Sequence, residues 1–137
     1  MAEITIQATT EALDHVLDFV NGQLEQYACP MKVQMQVDIA VEEIYVNIAN
    51  YAYHPQTGPA TIRVEVTEEP LQVVVGFVDK GVPYNPLEKG DPDVTLSAEE
   101  REIGGLGIFM VKKSMDDLSY EYRNGNNILT IRKKFHE

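Results

Sequence analysis

The chain has no tryptophan, a single cysteine, and half as many basic as acidic side chains. Each scarcity removes a class of function. With Cys29 alone, an internal disulfide is excluded, the core must hold the fold together, and a reducing compartment is expected. No apolar run approaches the length needed to cross a bilayer. Met1 to Thr10 is polar and mixed rather than signal-like, so the sequence predicts a cytoplasmic chain with no membrane partner. Eleven Lys and Arg stand against 22 Asp and Glu, giving a net charge of −11. Such a surface repels phosphodiester backbones, which argues against nucleic acid as a partner. His15, His54 and His136 make no spacing that suggests a zinc site and are read as surface or satisfied histidines.

What is present suits one globular domain over residues 1–137, with 44% hydrophobic and 24% charged side chains and enough length to bury a core unaided. Ile4, Ile6 and Ala8 alternate with polar neighbours, the pattern of a short strand. Thr10 is placed to N-cap a helix with the apolar stripe Leu13, Val16, Leu17, Val20 and Leu24. Pro30 suits the first turn of a second helix. Its inner side carries Val33, Val37, Ala40, Val41, Ile44, Ile48 and Tyr51, and it is expected to stop near His54-Pro55. Ile62, Val64 and Val66 then alternate, and Leu71 to Val78 reads as a central strand joined to them by a hairpin. A third helix is expected from about Gly105 to Asp116. A second hairpin around Asn124-Gly125 pairs 118–123 with 128–135. These elements predict an α+β, two-layer α/β sandwich with a mixed, mostly antiparallel sheet covered on one face. Met31, Met35, Met110 and Met115 are read as core filler.

Three stretches carry chemistry. On the second helix, Asn47 falls roughly 60° and Glu43 roughly 100° from the centre of the apolar stripe, on one shoulder and one turn apart. The amide can offer a neutral oxygen to Mg²⁺. The carboxylate can orient or deprotonate a hydroxyl. A solvated Glu and an idle Asn would look the same. Asp79-Lys80-Gly81-Val82-Pro83-Tyr84-Asn85-Pro86 follows the most apolar strand. There Asp79 can accept from an exocyclic amine and Gly81 leaves room beside a planar ring, although Asp, Gly and Pro also make plain turns. Gly104-Gly105-Leu106-Gly107 opens a helix, where N–H groups and the helix N-terminus favour an anion. A glycine-rich cap without a ligand is the competing reading.

Taken in order, these motifs resemble the GHKL (histidine kinase-like) ATPase superfamily over nearly the whole chain. Glu-x-x-x-Asn at 43–47 is similar to its N box, Asp-x-Gly at 79–81 to its adenine box, and Gly-Leu-Gly at 105–107 to its glycine box. Within the superfamily, 79–86 and the run 105–111 followed by Met115-Asp116 look like the bacterial anti-sigma-factor serine/threonine protein kinases. The resemblance implies the Bergerat ATP-binding fold, with ATP and Mg²⁺ as cofactors and an ATP lid at about 87–103. It implies Glu43 as general base, Asn47 as the Mg²⁺ ligand and Asp79 as the reader of the adenine amino group. Gly81, Gly104, Gly105, Leu106 and Gly107 would complete the nucleotide contacts, with a minor one from Thr130. The implied partners are a STAS-domain anti-sigma-factor antagonist as phosphoacceptor and a sigma factor, with a homodimer served by the first helix's apolar stripe. Core packing explains that stripe equally well. Two departures stand out. Gly104 occupies a position where such kinases often carry Arg, with Arg101 nearby, and Tyr51-Ala52-Tyr53 replaces the frequent His-Ala/Gly-Tyr. Two other readings compete: a nucleotide-dependent binding module without phosphotransfer, and a catalytic piece of a two-component histidine kinase. Val16, not an acid, follows His15, which argues against the second.

Overall fold

A computed structural model describes residues 1–88 and 105–136. Its elements are β1 (Ala2–Gln7), α1 (Leu13–Gln26), α2 (Met31–Asn47), β2 (Pro59–Thr67), β3 (Gln72–Asp79), α3 (Gly105–Ser114), β4 (Asp117–Arg123) and β5 (Asn126–Lys134). The five strands form one sheet in the order β1-β2-β3-β5-β4. Every pair is antiparallel, so the parallel component that a mixed sheet would need does not occur among the described strands.

The alternation in β2, β3 and β5 decides which face is covered. Ile62, Val64, Val73, Val75, Phe77, Leu129 and Ile131 are buried, and they form one cluster with Val16, Val20, Leu24, Val37, Val41, Ile44 and Val111 from the helices. The other face is polar toward its β1–β2 edge, where Thr5 meets Thr61 at 2.8 Å and Arg63 pairs with Glu3 at 3.0 Å. The apolar stripe of α1 is therefore spent on the core, which removes the reason for assigning it to a homodimer.

The start of α1 differs from expectation. Thr10 makes no capping bond. Residues Thr10–Ala12 form a 3-10 turn, and α1 begins at Leu13 with Ala12 at its cap. Tyr45 braces this turn: its hydroxyl donates to the Thr9 carbonyl at 2.7 Å, fixing the β1 exit against α2. At its far end α2 continues into a π-helical turn, Ile48–Ala52, before His54-Pro55. Such turns are frequent at functional sites. Between β4 and β5, Asn124 and Gly125 both take positive φ, 54° and 82°, the backbone demanded by a tight two-residue hairpin.

The methionines do not behave as a set. Met115 is 6% exposed, as expected of core filler, but Met31, Met35 and Met110 are 73%, 57% and 53% exposed. Apolar character on α2 thus extends to its solvent face as well as its core face.

Candidate functional site

The π turn that ends α2, the loop that leaves β3 and the β4–β5 hairpin surround a cavity of about 430 Å³. Buried Ile44, Phe77 and Leu129 give it an apolar wall, with Ile108 of α3 beside them. Tyr51, Tyr84 and Tyr120 also line it, the first two 53% and 44% exposed. A space of this size and lining, with few polar groups, suits a small planar ligand. Asn47 and Asp79 are two of those polar groups.

Asp79 ends β3, paired with Asn127 across the ladder. It is 6% exposed. Its Oδ1 accepts the Gly81 N–H at 2.8 Å and the Asn127 Nδ2 at 2.9 Å. Among the described residues Oδ2 has no such partner, so one carboxylate oxygen is left as an acceptor for a ligand in the cavity. This is what recognition of an exocyclic amine requires.

Gly81 makes its close approach to the chain itself. A Cβ there would lie 2.2 Å from the Ala52 carbonyl oxygen and 2.7 Å from the Ala52 Cβ. The missing side chain lets the loop after β3 dock on the π turn, where the Val82 N–H donates to the same carbonyl at 3.2 Å. Tyr53 braces this junction from behind. Its hydroxyl donates to the Pro59 carbonyl at 2.6 Å and accepts the Lys80 N–H at 2.7 Å. Burial, with the nearby Asp79 charge, pushes the Tyr53 phenol up, partly opposed by the Lys80 bond. In Tyr51-Ala52-Tyr53, which departs from the usual His-Ala/Gly-Tyr at Tyr51, Tyr51 and Ala52 line the cavity and Tyr53 is structural.

Glu43 does not line the cavity. Its half-buried carboxylate lies against α3, where a Cβ on Gly107 would sit 2.0 Å from Glu43 Oε2. The acid is thereby held beside the first turn of α3, where helix polarity favours a negative group. Asn47, one turn further along α2, faces the cavity. Gly105 and Leu106 are in the first turn of α3. Gly104, Arg101 and the lid from residue 89 to 103 lie outside the described residues. The lid's first residues, Leu87 and Glu88, belong to a short 3-10 turn, and the Leu87 N–H donates to Asn85 Oδ1 at 2.9 Å.

Thr130 does not reach the cavity, contrary to the sequence expectation. It pairs with Gly76 and, between buried Leu129 and Ile131, points to the sheet face away from the helices and the cavity. The residue of β5 that serves the site is Asn127, 7% exposed, which the sequence reading took for part of the hairpin turn. Its only sequence signal was its place opposite the end of β3 once the two hairpins are set in register.

A model of the histidine kinase-like ATPase domain family matches residues 6–133. The chain therefore belongs to that family. It is 27% identical over 100 residues to a serine/threonine-protein kinase, BtrW, of Bordetella bronchiseptica, covering 73% of this chain and 70% of the relative. It is 32% identical over 96 residues to the serine-protein kinase RsbW of Listeria monocytogenes, covering 66% of this chain and 60% of the relative. It is 26% identical over 136 residues to an anti-sigma F factor of Clostridium beijerinckii, covering 98% and 84%. The match thus spans less than two thirds of the Listeria kinase. Among the described residues, no helix is long and apolar enough to cross a membrane.

Proposed function

We propose that this chain is an ATP-dependent protein serine/threonine kinase of anti-sigma-factor type. In this reading it phosphorylates a STAS-type antagonist and sequesters a sigma factor. The observation that carries the reading is the arrangement along α2. Asn47 faces a purine-sized cavity where one Asp79 oxygen has no partner among the described residues, and Glu43 stands one turn away against the start of α3. The family match and the kinase and anti-sigma names of the relatives support it.

The residues fit Mg²⁺-ATP on structural grounds. The apolar wall with Tyr51, Tyr84 and Tyr120 suits a base, and Asp79 Oδ2 suits its amino group. The Asn47 amide oxygen is a hard ligand for Mg²⁺ beside phosphate oxygens. The N–H groups opening α3 suit an anion. Bound Mg²⁺ would neutralise phosphate charge, in a chain that carries −11 of its own. Glu43 would accept the proton of a serine or threonine hydroxyl on the protein substrate as that oxygen bonds to the terminal phosphorus and the bond to the bridging oxygen breaks, releasing ADP.

Glu43→Gln tests this, since the amide keeps the shape and removes the base. Expected is ATP affinity within about twofold of wild type, with phosphate transfer to a STAS-domain acceptor reduced about 100-fold or more. The measurements are calorimetry and a radiolabelled-phosphate assay. Unchanged transfer would remove Glu43 from the mechanism. Absence of transfer in the wild type, with nucleotide binding intact, would favour a nucleotide-dependent binding module.

A further inference from the structure

The side chain of Asn127 is used to capacity. Its Nδ2 donates to Asp79 Oδ1 at 2.9 Å and to the Val82 carbonyl at 2.9 Å, with the Gly81 carbonyl at 3.3 Å sharing a proton. Its Oδ1 accepts the Tyr84 N–H at 3.2 Å and the Tyr120 hydroxyl. A primary amide has two N–H donors and two lone pairs, so nothing is left over for a ligand. Its orientation is also forced. Carboxylate and carbonyl oxygens can only accept, and a backbone N–H can only donate.

We propose that Asn127 is a positioning residue that holds the Asp79 carboxylate with Oδ1 turned to the protein and Oδ2 left toward the base. Together the pair decides between 6-amino and 6-oxo purines. The inference rests on the nucleotide reading above and concerns which base that site selects. Two donors, Gly81 N–H at 2.8 Å and Asn127 Nδ2 at 2.9 Å, converge on Asp79 Oδ1. Whatever side chain occupies position 79 must therefore present an acceptor there. Aspartate does so with one oxygen and leaves the other as an acceptor for a 6-amino group. In Asp79→Asn, the new side chain would have to place its carbonyl oxygen between the same two donors. Its NH₂ would then stand where Oδ2 stands, and the site would turn from acceptor to donor. A donor suits the 6-oxo group of inosine and cannot pair with the adenine amine. The Asn127 amide also holds the backbone at Gly81, Val82 and Tyr84, so the loop after β3 and the Asp79 carboxylate are set by one group.

The test compares ATP with ITP, which differ at the 6-position, amino against oxo, and in the N1 proton that accompanies the oxo group. Their dissociation constants are measured by calorimetry for wild type, Asp79→Asn, Asn127→Ala and the double variant, with melting curves to show that each is folded. Wild type is expected to prefer ATP by about tenfold or more, the worth of one hydrogen bond to a charged group. Asp79→Asn should reverse the order and prefer ITP. In the double variant only the Gly81 N–H is left to orient the new amide at position 79. It should bind both nucleotides weakly and within about threefold of each other. General loosening of the fold would weaken both nucleotides alike and leave their ratio unmoved, which separates positioning from mere support. Should Asn127→Ala not fold, Asn127→Ser replaces it, being too short to bridge Asp79 and Val82. Retained ATP preference in Asp79→Asn would overturn the proposal, as would full ITP preference in the double variant. Failure of wild type to bind either nucleotide would instead overturn the nucleotide reading itself.

Discussion

At the scale of single residues, Gly81 and Gly107 look alike in sequence and differ in what they face. A Cβ at 81 would meet backbone, the Ala52 carbonyl oxygen at 2.2 Å, and neither side of that contact can yield without moving the π turn or the loop. A Cβ at 107 would meet the carboxylate end of a flexible side chain, Glu43 Oε2 at 2.0 Å. Gly81→Ala is therefore expected to destabilise the protein by about 1–3 kcal/mol, the range for forced overpacking. Gly107→Ala should cost little stability, within about 0.5 kcal/mol, because Glu43 can swing aside. That swing removes the acid from the start of α3, so Gly107→Ala should lose phosphate transfer while remaining as stable as wild type. Urea unfolding beside the transfer assay checks both. Equal stability losses in the two variants would mean that Glu43 cannot move, and that α3 is displaced instead.

At the scale of elements, α2 holds most of the argument, and its outer flank carries a cost. Asp38 Oδ1 is buried and has no hydrogen-bond partner among the described residues. Burial pushes this carboxyl up, Glu42 adds to the shift, and Asn21 on α1 partly opposes it. The nearby Cys29 thiol is pushed up as well, by burial and then by the Asp38 charge. An acid whose folded-state pKa is raised destabilises the fold when ionised. The cost is fully present above the raised value and is gone below the unfolded value of about 4. Asp38→Asn should therefore stabilise at neutral pH, by no more than about 1 kcal/mol because the group is only half-buried and water screens it. The gain should shrink as pH falls through the acid range. Thermal melts across pH would show this, and a gain that does not vary with pH would place its origin in packing.

The same elements show how far sequence patterns carry. Helices, hairpins and the inward faces of β2, β3 and α2 follow from apolar periods of 3.6 and 2, and the structure keeps them. Thr10 fails as a cap because it lies inside the 3-10 turn, one residue past the N-cap Thr9, whose carbonyl is held by Tyr45, a tertiary bond that no local pattern contains. Met31 and Met35 fail as core because α2 is apolar on two faces, and periodicity cannot say which face is covered. Asp79, Asn47 and Glu43 could be proposed from sequence because their residue types stand at motif spacings. Asn127 was hidden because its role depends on register across the sheet, and Thr130 was misassigned by the same missing register.

At the scale of the whole molecule, the charge of −11 sets a field that opposes every form of ATP. The described lining of the cavity contains no Lys or Arg, and the ion pairs at the sheet edges, such as Arg63–Glu3 at 3.0 Å and Lys133–Asp116 at 3.7 Å, tie down cations locally. In the proposed nucleotide reading, the described residues would attract phosphate only through short-range sources, the N–H groups opening α3 and Mg²⁺, while the long-range field repels. Salt screens the long-range part most, over a Debye length of about 10 Å at 0.1 M. Association of Mg²⁺-ATP should accordingly speed up by roughly two- to fivefold as ionic strength rises from low to physiological. Dissociation, governed by contacts inside the cavity, should change much less. Stopped-flow mixing with a fluorescent ATP analogue separates the two rates. A steered encounter would show the opposite slope, with association slowing as salt is added. That result would mean that basic side chains outside the described residues reach the phosphates and outweigh the field of the rest of the chain.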